Sequence, residues 1–171
     1  MKSIRQLVFL FLLVAKTIHV SAQGNECTDA LELTNLTNYC SSNAQYTNSS
    51  STPAANGLGI PTCFTTSSTS DVWFKLKATA TDVQLSVTGG GANGTIKRPN
   101  IALYSGVCTG TVNEMACSPG NTDATSLYKG GLTIGATYMI RVATTTANKG
   151  TFKLCISNFT PTVTPGSDCD A

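Results

Sequence analysis

The chain has 171 residues, of which 11 are basic, 9 are acidic, one is histidine and seven are cysteine. Residues 1–22 have the features of a secretory signal peptide, since a basic start is followed by an apolar run and by small residues up to Ala22. Removing them leaves 8 basic against 9 acidic residues, a net charge of −1, and also removes His19. A near-neutral chain of this kind argues against nucleic acid or an anionic membrane as partner, because both demand a basic patch. The apolar run is also shorter than the roughly 20 residues of a membrane span, which argues against a retained membrane anchor. Once the signal peptide is cleaved, we expect no membrane insertion.

The first half of the mature chain predicts strands separated by a long polar segment. Residues 26–36 predict a short strand, whereas residues 39–62 are small and polar and predict a surface loop or irregular edge. Residues 71–88 alternate apolar and polar side chains, and a period of two places each apolar set on one face of a strand. This stretch predicts two neighbouring, half-buried antiparallel strands. Their inward residues are Val72, Phe74, Leu76, Val83, Leu85 and Val87.

The second half repeats the same pattern after a glycine-rich loop at residues 89–94. Further strands are predicted around residues 100–106, 111–117, 126–132, 137–145 and 151–158, separated by glycine-containing turns. No helical period appears in the mature chain. About eight short strands in roughly 130 residues suit one all-β sandwich with one core.

Six cysteines fall in this predicted domain, and an even number after a signal peptide indicates disulfides in an oxidising compartment. Six cysteines allow 15 pairings. Proximity in sequence favours a hairpin bridge and a bridge across the polar segment, which leaves a third bridge from the first strand to the last. These are Cys108 with Cys117, Cys40 with Cys63, and Cys27 with Cys155. A zinc site is the rival interpretation, but paired CxxC motifs and mature histidines are both missing.

The end of the chain echoes the start of the mature domain. The sequence GSDCDA at residues 166–171 resembles GNECTDA at residues 24–30, and it comes after a Pro/Thr segment typical of a semi-rigid linker. We therefore predict a domain at residues 23–160, a linker at 161–165 and the start of a second, incomplete repeat at 166–171. The chain would then be a fragment of a tandem array.

Four stretches carry a resemblance to a known family: DVWFKLKA, PNIALYSGVCTG, ATSLYKGGLTIGATYMIRV and GTFKLCI. They resemble the pre-peptidase C-terminal (PPC) domain family, especially versions repeated in large bacterial secreted and cell-surface proteins. The similarity covers roughly residues 24–158 and implies a jelly-roll β-sandwich appended to secreted proteases, adhesins and other surface proteins. Some relatives hold calcium, but their acidic ligand pattern is not matched here, so we carry none of those positions over.

Two binding sites are candidates from the residues themselves. Calcium needs only loop carboxylates and carbonyls, which makes Glu26, Asp29 and Asp71 the candidate ligands. The favoured alternative is that Asp71 bonds a neighbouring loop while the other two are solvated. Trp73 lies on the outward side of its strand and, with Tyr104, would form an aromatic platform for a sugar ring. The favoured alternative there is that a neighbouring loop covers Trp73.

Catalysis is not expected of this domain. A serine or cysteine nucleophile usually needs an adjacent base, most often histidine, and the mature chain has none. The sequence instead predicts a non-catalytic, secreted or cell-surface module for adhesion, spacing or ligand binding, with an extracellular protein or polysaccharide as partner and neighbouring repeats in the same chain. We expect no cofactor, with calcium the one candidate. The alternative is an accessory domain of a secreted hydrolase, such as a protease, whose catalytic part lies outside this chain. Four sequons, at Asn35, Asn48, Asn93 and Asn158, match the glycosylation pattern, although a bacterial origin would make them incidental.

Overall fold

The structure is a computed structural model, and it describes residues 24–52, 59–64 and 70–162. Within these residues the chain forms ten β-strands, three single-turn 3-10 helices and no α-helix. The short helices are Cys27–Asp29, Gly91–Asn93 and Thr146–Asn148. The strands are β1 (Leu31–Leu33), β2 (Tyr39–Cys40), β3 (Tyr46–Thr47), β4 (Ser70–Lys77), β5 (Asp82–Thr88), β6 (Asn100–Gly106), β7 (Val112–Ser118), β8 (Ala124–Gly130), β9 (Thr137–Thr144) and β10 (Thr151–Phe159).

The predicted ends of the chain fall outside this description. Residues 1–22, predicted as a signal peptide, and residues 166–171, predicted as a second repeat, are not among the described residues. Their boundaries therefore stay predictions. Across the described ranges, no helix has the length and apolar character needed to cross a membrane.

The strands form two sheets that pack face to face. The first sheet has the order β1-β4-β9-β6-β7, and the second has the order β2-β10-β5-β8, with β3 also paired to β10. Neighbouring strands are antiparallel except β1 and β4, which run parallel. The predicted all-β, jelly-roll-like and disulfide-linked sandwich is confirmed.

The core between the sheets is filled by the alternate apolar residues of the long strands. Because successive side chains of a strand point to opposite faces, the period of two decides which residues enter the core. Full burial of each such side chain contributes about 1.5–3 kcal/mol relative to exposure. All the inward residues predicted for β4 and β5 lie in this core, together with Ile101, Leu103, Leu127, Tyr138, Ile140, Val142, Phe152, Leu154 and Ile156.

The prediction that β4 and β5 are neighbours is wrong, because they belong to different sheets. The chain crosses between the sheets at residues 78–81. The N–H of Ala78 donates to the carbonyl of Ala136, the residue before β9 of the first sheet (2.9 Å). The next two residues, Thr79 and Ala80, donate their N–H groups to Oδ1 of Asn158 on β10, at 2.7 and 3.1 Å. Alternation fixes the face that a side chain occupies, but it does not say which sheet the strand joins.

Two of the four sequon asparagines are part of the scaffold. Asn158 is buried, and its Nδ2 donates to the carbonyls of Ala80 and Asp82. Asn48 is also buried, and its amide bridges the carbonyl of Ser70 and the N–H of Gly150. Since both amide nitrogens are already used within the fold, neither is available to carry a glycan in the folded protein.

The six cysteines of the domain are all disulfide-bonded, but in pairs that differ from every predicted pairing. Each bond joins segments that are distant in sequence, with Cα–Cα distances of 5.5, 4.1 and 6.0 Å respectively. The pairs are Cys27–Cys108, Cys40–Cys155 and Cys63–Cys117.

Strand register explains why proximity in sequence gave the wrong pairs. In the β6–β7 hairpin, Cys117 lies opposite Ala102, whereas Cys108 lies in the turn beyond Gly106. Cys117 lies five positions after Val112, where the turn ends, and at about 3.3 Å per residue that is roughly 17 Å. Cys40, in contrast, is the direct cross-strand partner of Cys155.

Candidate functional site

The three predicted calcium ligands are not brought together. Asp71 is buried beside Arg141, whose Nε and Nη2 lie 2.7 and 2.5 Å from its Oδ2. Asp29 is exposed in the first 3-10 turn, next to Glu26. The described part of the chain contains no group of three or more acidic, cysteine or histidine residues that would hold a metal ion. Asp71 is therefore the partner of a buried arginine.

Trp73 and Tyr104 do not form an exposed platform. Their rings are in contact, with centroids 5.6 Å apart, but the side chains are only 0% and 5% exposed. They belong to a second apolar cluster on the outer face of the first sheet, covered by Cys27, Ala30 and Phe64. The N–H of Trp73 donates to Gly24 (2.7 Å), which fixes the N-terminal segment over this face. Burial raises the pKa of Tyr104, although nearby Arg141 opposes the shift. The favoured alternative, a covered Trp73, is what the structure has.

The outer face of the second sheet is different, because aromatic and polar side chains remain accessible there. We call it the open face and define it by the side chains of β10, β5 and β8 that alternate with core residues and so point outward. Among these, Ser126, Tyr128 and Phe159 are exposed, and Gln84, Ser86 and Ser157 are half-buried.

An aromatic pair stands at one end of the open face. The side chains of Tyr128 and Phe159 are 54% and 38% exposed, their ring centroids are 6.5 Å apart, and their planes meet at 37°. In the next row of the sheet Ser157 is paired with Gln84, and Gln84 with Tyr128. An amide and a hydroxyl group therefore stand in line with an exposed aromatic ring.

Asp82 holds the tyrosine ring in place. The Tyr128 hydroxyl donates to Oδ1 of Asp82, and Thr81 donates to Oδ2 at 2.7 Å. The hydrogen bond from Tyr128, followed by that from Thr81, lowers the pKa of Asp82. The same bond to Asp82 raises the pKa of Tyr128. Gly130 leaves room for the contact, since a Cβ there would lie 2.7 Å from Oδ1 of Asp82 and 3.0 Å from the Tyr128 oxygen.

A shallow groove continues the open face beyond Gln84. Its volume is about 150 Å³, and it is lined by Gln84, Ser86, Ser157 and Tyr39 and by the Cys40–Cys155 disulfide. No charged side chain lines it. Gln84 lines the groove and is the cross-strand neighbour of Tyr128, so the groove adjoins the aromatic pair.

A larger cleft of about 280 Å³ lies on the first sheet, beside the Cys27–Cys108 disulfide. It is bounded by Lys75 and Lys77, and an ion pair of 3.4 Å between Lys75 and Glu32 stands at its edge. Its lining contains no aromatic ring. The open face offers both stacking and hydrogen-bonding groups, so we take it as the candidate site.

This surface is suited to binding. An exposed aromatic ring offers a flat, apolar contact at low cost in conformational entropy, and neighbouring amides and hydroxyls add directed hydrogen bonds. Glycoside hydrolysis usually needs two carboxylates across the bond that is cleaved. Among the residues of the open face named here, Asp82 is the carboxylate, and hydrogen bonds from Tyr128 and Thr81 already occupy it.

Replacing Tyr128 by phenylalanine should lower stability only within a limited pH range. A carboxyl whose pKa is lowered on folding stabilises the fold above its ordinary value of 3.8, and the effect is lost as pH falls through the lowered value. A tyrosine whose pKa is raised above its ordinary 10.0 stabilises the fold below that pH. The stability difference between wild type and Y128F should therefore be full near neutral pH and become smaller as the pH falls below 3.8. Urea unfolding at pH 7 and pH 3 measures it, and an equal difference at both would show that no carboxylate is involved.

Comparisons with known proteins give structural neighbours only. No family model matches the chain, and no curated protein does. One solved structure that it resembles is the pre-peptidase C-terminal domain of a collagenase from Bacillus anthracis, with a TM-score of 0.44 and 13% identity, covering 74% of this chain and 93% of that one. Another is the CBM35 from Cellvibrio japonicus Abf62, with a TM-score of 0.36 and 16% identity, covering 70% of this chain and 92% of that one.

Proposed function

We propose that this domain is a non-catalytic, secreted or cell-surface binding module that holds an uncharged polysaccharide on its open face. The observation that carries the proposal is the exposed Tyr128–Phe159 pair, in which Tyr128 is held by Asp82 and stands in line with Gln84 and Ser157. Secretion is supported by the leader-like sequence of residues 1–22 and by three disulfides, which form and persist in oxidising compartments.

The chemistry of the open face favours sugar over peptide. The C–H face of a sugar ring packs on an aromatic ring, and its hydroxyls exchange hydrogen bonds with amide and serine groups. The groove beside the aromatic pair is uncharged and shallow, so it offers no counter-charge to an acidic or basic peptide and no deep socket for a large side chain. A neutral, extended glycan chain satisfies both features.

A polysaccharide-binding module of this kind could belong to either of two kinds of protein. It would be one repeat of an adhesive or spacing array, or an accessory domain of a secreted hydrolase. Polysaccharide binding on the open face is useful in both kinds of protein, because both must be held against an extracellular surface. The gene sequence beyond residue 171 separates them. Further repeats of this domain favour adhesion or spacing, and a histidine-bearing catalytic domain favours the hydrolase.

Binding of the secreted protein to a panel of neutral polysaccharides, such as cellulose, xylan, mannan and chitin, tests the proposal. Tyr128→Ala and Phe159→Ala should each weaken binding about tenfold, which corresponds to about 1.4 kcal/mol and lies within the range of one aromatic stacking contact. Tyr128→Phe keeps the ring and should retain most of the affinity.

Val107→Ala is the matched control, because Val107 is also exposed (49%) but lies in the hairpin turn of the other sheet. It should leave binding unchanged. If the wild-type protein binds none of the panel, or if the alanine variants bind as well as wild type, the open face is not a polysaccharide site.

A further inference from the structure

A third cavity lies at the end of the sandwich away from the aromatic pair. Strand β5 runs from Asp82, beside the pair, to Thr88 at the other end, where it faces the start of β8. The loops that come after β5, β7 and β9 meet there around a cavity of about 420 Å³. We call it the loop cleft. Its lining side chains include Arg98, Asn100, Asn121, Thr144, Thr145 and Asn148.

The loop cleft contains one cation among uncharged polar groups. Arg98 is exposed, and within the described ranges it has no ion pair. Its neighbour Lys97 is paired with Asp123 at 2.6 Å, so that charge is already compensated. No acidic residue lines the cleft. An anion that binds in the loop cleft would therefore not have to displace a carboxylate from the Arg98 guanidinium.

The backbone holds Arg98 in an uncommon conformation. Its φ is 47°, in the left-handed region that side chains other than glycine rarely adopt. The flanking carbonyl of Lys97 accepts from the Thr144 hydroxyl (2.9 Å), and the N–H of Lys97 donates to the carbonyl of Asn148 (3.0 Å). A Cβ at Gly120 would lie 2.2 Å from the Arg98 carbonyl, so only glycine allows this close approach. The surrounding loops thus fix the position from which the guanidinium extends.

We propose that the loop cleft binds an acidic sugar residue, with Arg98 as the partner of its anionic group. A guanidinium matches the two oxygens of a carboxylate or sulfate with paired N–H donors. Asn121, Asn148 and Thr145 provide the amide and hydroxyl groups that sugar hydroxyls need. A volume of about 420 Å³ falls in the range of small-ligand sites, roughly 300–1,000 Å³.

This site is separate from the proposed function, because it shares no residue with the open face and lies at the opposite end of β5. A module with both sites would recognise a mixed matrix, with a neutral chain on one surface and an acidic sugar at the loops. Each site can fail in experiment without affecting the other.

Calorimetric titration of the secreted protein with tetragalacturonate, a sulfated galactan tetrasaccharide and neutral galactotetraose tests the proposal. The carboxylated or the sulfated sugar should bind, and comparing them identifies the anion. Arg98→Gly should weaken that binding about tenfold, as expected for hydrogen bonds to a charged group. Added salt should weaken the wild type more than the variant. Glycine suits the left-handed backbone, so Arg98→Gly should melt at or above the wild-type temperature.

Lys77→Ala is the charge-matched control, since it removes one exposed lysine far from the loops. It should change affinity less than twofold, and Tyr128→Ala should not change affinity for the acidic sugar at all. The proposal is overturned if neither acidic sugar binds. It is also overturned if Arg98→Gly and Lys77→Ala weaken binding equally, or if Tyr128→Ala abolishes binding of the acidic sugar.

Discussion

Replacing Asp71 by valine is expected to lower the free energy of unfolding by about 3–5 kcal/mol, the usual cost of removing one partner of a buried ion pair. Arg141 is 3% exposed, and its guanidinium lies 2.5–2.7 Å from Asp71 and 5.4 Å from the centre of the Trp73 ring. Its Nη1 also donates to the carbonyl of Gly59 at 3.1 Å. Without Asp71, the positive charge stays buried and uncompensated.

The double variant Asp71→Val/Arg141→Met should recover most of that loss. A buried ion pair replaced on both sides by apolar residues is often neutral or stabilising, because two desolvated charges are removed together. Urea unfolding of the wild type, the two single variants and the double variant gives the coupling energy. Additive losses would contradict the prediction, since they would mean that the two side chains do not act as a pair.

Strand β4 illustrates which features of the fold can be predicted from the sequence and which cannot. Alternation correctly placed Val72, Phe74 and Leu76 in the core, because the period of a strand is a local property. It also correctly placed Trp73 on the opposite face. It did not predict that residues 24–30 and Phe64 would cover that face, because this depends on segments that are distant in sequence.

The candidate site was missed for the same reason. Tyr128 comes directly after the inward Leu127 and Phe159 directly after the inward Asn158, so both were recognisable as outward aromatics. Trp73 and Tyr104 carry the identical local signal and are nevertheless buried. The cover over the first sheet is what separates the two pairs. The pairing of Tyr128 with Asp82 depends on the β5–β8 register, which the sequence does not reveal.

Disulfide connectivity was out of reach because it depends on the sheet order. Cys40 meets Cys155 only because β2 pairs with β10 at the edge of the second sheet. Once that order is known, the bond can be inferred, since residues directly opposite on antiparallel strands are about 4.5–5.5 Å apart. The six cysteines of the predicted domain and the leader-like N-terminus predicted the presence of disulfide bonds, and the topology selects their partners.

Removing the Cys40–Cys155 disulfide by Cys40→Ala/Cys155→Ala should lower the free energy of unfolding by about 4–5 kcal/mol, if loop closure in the unfolded chain is the main contribution. The bond spans 115 residues, the longest of the three separations. Denaturant unfolding of the secreted, oxidised protein measures the loss. A comparison with Cys40→Ala/Cys63→Ala, which removes one cysteine from each of two bonds, decides the connectivity.

The second variant should be the less stable of the two, because it opens two bonds and leaves Cys155 and Cys117 without partners. Under denaturing conditions it should also release two more titratable thiols than Cys40→Ala/Cys155→Ala does. If the bond joined Cys40 to Cys63, as proximity in sequence suggested, the order of stability and of thiol count would be reversed. Because β2 contributes only two residues to the sheet, this bond adds a covalent constraint to the few hydrogen bonds that keep β2 on β10, such as the one from the N–H of Ser41 to the carbonyl of Leu154 (2.9 Å). Its loss should therefore loosen one wall of the groove on the open face and weaken polysaccharide binding even where the domain remains folded.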